Sequence, residues 1–174
     1  MKLRPVVWLV ALAVLGVDQV VKSWAIRNLH DGHTIHVLGD WFGFKLIYNE
    51  GAALSLLGHR TWMVTTVMVA VLVLLVWLHP RANGALGIFI FGIAIGGALG
   101  NITDRFHQGV GWGSGPVIDM IKYGNLFIGN VADAAIVFAA ALTIIAAWMG
   151  KRILKPRAAR TEAVAADSGA VPAP

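Results

Sequence analysis

Cysteine is missing from this 174-residue chain. That excludes a disulfide framework, a thiolate nucleophile and a thiolate metal site. Charge is scarce as well: Asp, Glu, Lys and Arg make up 13% of residues, against about 25% in an average soluble domain. Apolar residues reach 57%, and mean hydropathy is +0.72. A core of ordinary size cannot hide that much apolar surface, so lipid must face much of it. The length suits one domain. The net charge of +5 does not point to nucleic acid. The basic residues sit at the flanks of apolar runs and near the C-terminus, without the interleaved aromatics of a nucleic-acid surface.

A bilayer core of ~30 Å takes about 20 apolar helical residues to cross. Four runs approach that length, at about 5–26, 61–78, 86–103 and 128–149. The expected fold is therefore an all-α membrane protein of four transmembrane helices, forming one domain over residues 1–155. Pro5 suits a first helical turn, and His79-Pro80-Arg81 ends the second run. A cleaved leader is the alternative reading of the first run, with Lys2 and Arg4 as its basic region and Ala11-Leu12-Ala13 as a small-residue site. Cleavage there would leave too short an apolar stretch, and the run continues through Val17, so a retained helix is expected.

Lys2 and Arg4, Arg81, and the group Lys151, Arg152, Lys155, Arg157 and Arg160 fall on one side of a four-helix arrangement. The positive-inside rule then puts both termini in the cytoplasm and both long connections outside. Trp8, Trp77 and Trp148 lie near the inner boundary, and Trp24 and Trp62 near the outer one. Residues 156–174 read as a disordered cytoplasmic tail. Between helices one and two, the aromatic and β-branched stretch 41–48 predicts a small β-structure in the first outer loop, over about 35–58. Residues 112–116 read as a flexible connector.

Ionisable groups in membrane helices are costly and point to function. Asp18 lies ~20 Å from the inner end of helix one, and Lys22 follows it at i+4 on the same face. Asn101, Asp104 and Arg105 end helix three, Asn130 and Asp133 open helix four, and Asp119 precedes it. All of these gather near the outer boundary, while the inner halves of the helices are apolar. A pathway through the bilayer needs polar groups at every depth, so a small transporter fits poorly. A non-catalytic assembly subunit would rest only on the seam of Gly92, Gly96 and Gly100.

The chemistry left to such a site is that of carboxylates. Ser23 and Ser55 lack a histidine partner, and His30, His33 and His36 lack metal-ligand spacing, so neither metal nor cofactor is expected. Two aspartates at an apolar boundary cannot both ionise easily; sharing a proton makes one an acid and the other a base. Asp119, on an irregular segment, and Asp133, in the first turns of helix four, are the natural pair.

Five blocks then carry a resemblance. Asp18-Gln19-Val20-Val21-Lys22, Asn49-Glu50-Gly51-Ala52-Ala53, the stretch from Gly96 to Arg105, Val117-Ile118-Asp119, and Asn130-Val131-Ala132-Asp133 resemble, in order, the motifs of lipoprotein signal peptidase (signal peptidase II). The resemblance implies an aspartic endopeptidase of the bacterial cytoplasmic membrane with its site near the outer leaflet. Its partners would be membrane lipid and diacylglyceryl-modified prolipoproteins, cut before the modified cysteine, and globomycin-type cyclic peptides would inhibit it. By motif, Asp119 and Asp133 are catalytic. Asn49, Gly51, Asn101, Arg105 and Asn130 line the site or hold substrate, Asp18 and Lys22 brace it, and residues 40–58 form an outer cradle. Leu54, Gly129 and Ala135 depart from residues common in the family, but none replaces a catalytic carboxylate.

Overall fold

Pro5 opens the first helix, as its missing N–H allows, and the apolar run carries α1 over Pro5–Asn28. The computed structural model describes residues 4–29, 32–51, 61–109 and 111–155. Two short strands follow, β1 (Ile35–Leu38) and β2 (Phe42–Asn49), then α2 (Thr61–Leu78), which closes in a 3-10 turn at His79–Arg81. Next come α3 (Gly84–His107), β3 (Val117–Tyr123), β4 (Phe127–Gly129) and α4 (Val131–Trp148). All four helices are long and apolar enough to cross a membrane. The protein is a mostly helical multi-pass membrane protein carrying a small sheet. Residues 52–58 of the expected cradle, which include Leu54 and Ser55, the tail 156–174, and His30 lie outside the described residues.

Helix α3 is the core of the bundle and the most buried of the four. Its glycines explain how the neighbours come so close. A Cβ on Gly96 would stand 2.6 Å from the Ala11 carbonyl oxygen of α1, and one on Gly97 would stand 2.7 Å from the Ala132 carbonyl oxygen of α4. The small-residue stripe therefore serves two helices on two faces, which is how backbones approach in lipid without large side chains between them. At the end of the bundle away from the sheet, Ala82 bridges Leu154, and the Asn83 N–H donates to the Ile153 carbonyl at 2.7 Å. This pairing ties the chain beyond α4 to the α2–α3 connection.

The sheet differs from the sequence expectation in extent. It is antiparallel, in the order β1-β2-β3-β4, and draws two strands from each long connection instead of lying wholly in the first. Asp119 is thus on a strand, not on an irregular segment. Val117-Ile118-Asp119-Met120-Ile121 is rich in residues that suit a pleated, half-buried surface, and Gly124 (φ +56°) supplies the turn into β4. Because residues 127–129 pair with β3, α4 starts at Val131, not near 128. The connector 112–116 is also more tightly held than expected. The Thr65 hydroxyl donates to the Gly113 carbonyl at 2.5 Å, and the Gly115 N–H donates to the Arg105 carbonyl at 3.0 Å.

Candidate active site

Strand register sets the first carboxylate. Ile47 lies opposite Asp119 and Asn49 opposite Val117, so Asn49 and Asp119 share one face of the sheet. The Asn49 amide donates to Asp119 Oδ2 at 2.8 Å, and the Asn130 amide donates to Asp119 Oδ1 at 2.5 Å. The orientation of Asn49 is itself held. Its Oδ1 accepts the Gly51 N–H at 2.8 Å, across a backbone where Gly51 has φ +104°, so its amide nitrogen is left to face the carboxylate. Asp119 is fully buried. Burial pushes its carboxyl from the ordinary 3.8 up to about 6; the Asp133 charge adds to the rise, while the Asn49 and Asn130 hydrogen bonds and the Lys22 charge oppose it.

Helix geometry sets the second. Asn130 caps α4 and accepts the Asp133 N–H at 2.8 Å, while Asp133 Oδ2 accepts the Asn130 N–H at 3.3 Å, a reciprocal capping box. The other oxygen, Oδ1, accepts the Asn101 amide at 2.7 Å. Asn101 has no freedom to flip. Its own Oδ1 accepts Lys22 Nζ at 3.1 Å, and an ammonium can only donate. Asp133 is half-buried, in contrast to Asp119. Asn130 thus touches both carboxylates, one with its side chain and the other with its backbone.

Beneath the pair lies a buried network that ties four elements together. Lys22 Nζ sits 2.7 Å from Asp18 Oδ2 and 2.7 Å from Asp104 Oδ2. Asp18 Oδ1 accepts the Ala132 N–H at 2.9 Å, which fixes α1 to the turn of α4 that bears Asp133. Asp104 Oδ2 accepts the Ile118 N–H at 3.1 Å, which fixes α3 to the strand residue next to Asp119. Gln19 donates to Asp18 Oδ2, the Gly100 carbonyl and Asp104 Oδ1 at 3.2–3.3 Å. The i,i+4 pair expected of Asp18 and Lys22 is present, but the lysine serves a second acid as well.

Asp104, a helix-end polar residue by its place in the sequence, and Gln19 both join this network; the signal in the chain is that Asp104 follows Asn101 by one turn and Gln19 precedes Lys22 by one turn. Arg105 donates from Nη1 to the Gly115 carbonyl at 3.1 Å and lies within electrostatic reach of Asp119, while its buried Nε has no hydrogen-bond partner among the described residues. The structure therefore gathers Asp18, Lys22, Asn49, Gly51, Asn101, Arg105, Asn130, Asp119 and Asp133 at the sheet end of the bundle. Among the described residues, no group of three or more histidines and acids has a metal-binding arrangement.

Fold and site together define a multi-pass membrane protein with two hydrogen-bonded aspartates where a small sheet meets the helix ends. A family model described as signal peptidase (SPase) II matches residues 10–149, and the chain belongs to that family of membrane peptidases. It is 38% identical over 142 residues to a lipoprotein signal peptidase of Leifsonia xyli, covering 81% of this chain and 66% of that one. It is 34% identical to one of Bifidobacterium adolescentis, covering 82% of this chain and 75% of that one. The chain thus spans about two thirds of the Leifsonia protein's length. Among solved structures, a bacterial membrane enzyme determined by the in meso method at 1.9 Å resolution superposes with a TM-score of 0.70 at 25% identity, covering 79% of this chain and 89% of that one.

Proposed function

We propose that this chain is an aspartic endopeptidase that removes signal peptides from prolipoproteins, cleaving before a diacylglyceryl-modified cysteine. The observation that carries this reading is the bridge made by Asn130, which holds two unlike carboxylates in one hydrogen-bonded unit. Asp119, buried and with its carboxyl raised to about 6, is the member that keeps a proton. Asp133, half-buried and accepting two N–H donors, is the member placed to act as the base.

In the reaction, Asp133 takes a proton from a water molecule as its oxygen bonds to the scissile carbonyl carbon, and Asp119 gives its proton to the carbonyl oxygen. As the tetrahedral intermediate collapses, Asp133 passes its proton to the amide nitrogen, one hydroxyl of the intermediate returns a proton to Asp119, the C–N bond breaks, and the pair again holds one proton. Asn49, Gly51, Asn101, Arg105 and Asn130 hold the carboxylates or the substrate, and Asp18 with Lys22 braces them. The basic residues Arg4, Arg81, Lys151, Arg152 and Lys155 flank the opposite ends of the helices, which supports cytoplasmic termini and a site near the outer leaflet of the cytoplasmic membrane. Globomycin-type cyclic peptides would compete for the same carboxylates.

The test is a gel-shift cleavage assay on a purified diacylglyceryl-modified prolipoprotein with the unmodified enzyme, Asp119→Asn and Asp133→Asn. Cleavage by the unmodified enzyme alone supports the reaction and the pair together. Cleavage by either variant removes that aspartate from its role, and no cleavage by a folded unmodified enzyme removes the reaction.

A further inference from the structure

The end of the sheet away from the carboxylates carries an apolar surface that the site does not use. Two turns meet there, Leu38–Trp41 between β1 and β2 and Gly124–Phe127 leading into β4, tied by the Gly124 N–H donating to the Trp41 carbonyl at 2.8 Å. Large apolar side chains stand out from both. Leu126 is 86% exposed, Trp41 84%, Leu38 68% and Phe127 57%. Asp40 is the one ionisable group in these eight residues. A water-facing turn has no physical reason to gather four such side chains, because contiguous exposed apolar surface marks contact with something less polar than water.

A line of aromatic rings connects this tip to the helix bundle. Trp24 on α1 meets Phe44 edge to face at 5.4 Å between centroids, and Phe44 meets Phe42 at 5.8 Å. Phe42 then meets Tyr123 at 6.1 Å, and Tyr123 stacks on Phe127 at 4.7 Å. Trp24 lies in the last two turns of a membrane-crossing helix, where aromatic side chains settle at the boundary between hydrocarbon and headgroup. The ring line therefore starts at boundary depth and ends in the exposed tip.

We infer that the paired turns form an interfacial anchor, with Leu38, Trp41, Leu126 and Phe127 seated in the headgroup and upper acyl zone of the leaflet at the sheet end of the helices. The partner is lipid, and the recognition is burial of apolar and aromatic surface in the interface rather than binding of a particular headgroup. One mechanical consequence follows from the strand pairing. The tip lies at the far end of β2 and β3, so its seat sets the depth at which Asp119 is held four residues along β3. The inference does not depend on the peptidase reading.

The absence of cysteine makes the test direct. Leu126→Cys and Trp41→Cys, each labelled with a polarity-sensitive fluorophore, are reconstituted into phosphatidylcholine vesicles, with Leu9→Cys on the lipid-facing side of α1 as a membrane-embedded reference. Nitroxide-bearing lipids with the spin label near the headgroup should quench both tip probes strongly. Iodide present on both sides of the bilayer should quench them much less than it quenches the free dye. Because the replaced side chains are exposed, the substitutions leave the core intact, and two positions in different turns guard against one being poorly tolerated. Iodide quenching equal to that of free dye at both positions, with no nitroxide effect, overturns the anchor and leaves the patch to a water-borne partner.

Discussion

The carboxyl of Asp119 gives the sharpest handle on the proposed chemistry, because burial and hydrogen bonding act on it in opposite directions. Its pKa of about 6 stands roughly two units above the ordinary carboxylate value of 3.8. At 1.36 kcal/mol per unit, that is about 3 kcal/mol of folding free energy. The sign is that of a raised acid. Below pH 3.8 the group is protonated in both folded and unfolded chains and costs nothing, and stability is lost as pH rises from there through about 6.

If Asp119 must hold the proton, kcat/KM should fall tenfold per unit above about 6, reaching about one hundredth of its plateau at pH 8. The Asn49 amide opposes the rise by donating to Asp119 Oδ2 at 2.8 Å. A hydrogen bond to a charged group is worth about 1.5–3 kcal/mol, so Asn49→Leu should move the limb one to two units toward alkaline pH while lowering the overall rate. The assay is cleavage of a fluorogenic lipopeptide from pH 5 to 9 at substrate concentrations well below KM. A flat profile for the unmodified enzyme refutes the protonated role of Asp119. A normal limb that stays in place in Asn49→Leu refutes the account of what sets it.

Four further single substitutions probe the supports. Lys22→Met leaves the buried Asp18 and Asp104 carboxylates without their shared cation, and should cost about 3–5 kcal/mol in detergent unfolding, with partial recovery when Asp18→Asn is added. Gly100→Ala places a methyl 2.6 Å from Asp18 Oδ2 and 3.1 Å from Ala132 Cβ, and should cost about 1–3 kcal/mol. Gly16→Ala, whose added methyl meets nothing within 4 Å among the described residues, should instead stabilise α1 by about 0.5–1 kcal/mol in the same measurement. Thr65→Val removes the donor to the buried Gly113 carbonyl, at about 1–3 kcal/mol, and faster amide exchange over residues 111–115 should report it.

The helices were legible in the sequence because a bilayer demands a long apolar run and punishes interruption, so each span announces itself without its neighbours. The sheet was legible only in part. Strand β2 carries Phe42, Phe44, Leu46, Ile47 and Tyr48 within seven residues, whereas β3 is a short apolar stretch that can equally be read as the approach to α4. Pairing with β2 decides between the two, and pairing is a property of two distant segments. The same limit applied to Thr65 and Gly113: nothing near either residue shows that a helix hydroxyl will hold the loop.

The site shows the distinction most clearly. Its polar residues could be listed from the chain, because each is conspicuous in an apolar setting, but their pairings could not. Lys22 has an acid four residues away, so a local reading stops at Asp18. The structure brings Asp104 to the same ammonium from 82 residues further along, at the same 2.7 Å. That second contact changes what the lysine does. One ion pair would settle a helix face, whereas a cation held between two acids, each accepting a backbone N–H beside one member of the aspartate pair, couples α1 and α3 to the positions of both carboxylates. Low dielectric strengthens every link of such a network while raising the cost of any link left open. Lys22, Asp18 and Asp104, which hold the two carboxylates through intervening groups, should therefore be among the least replaceable residues in the protein.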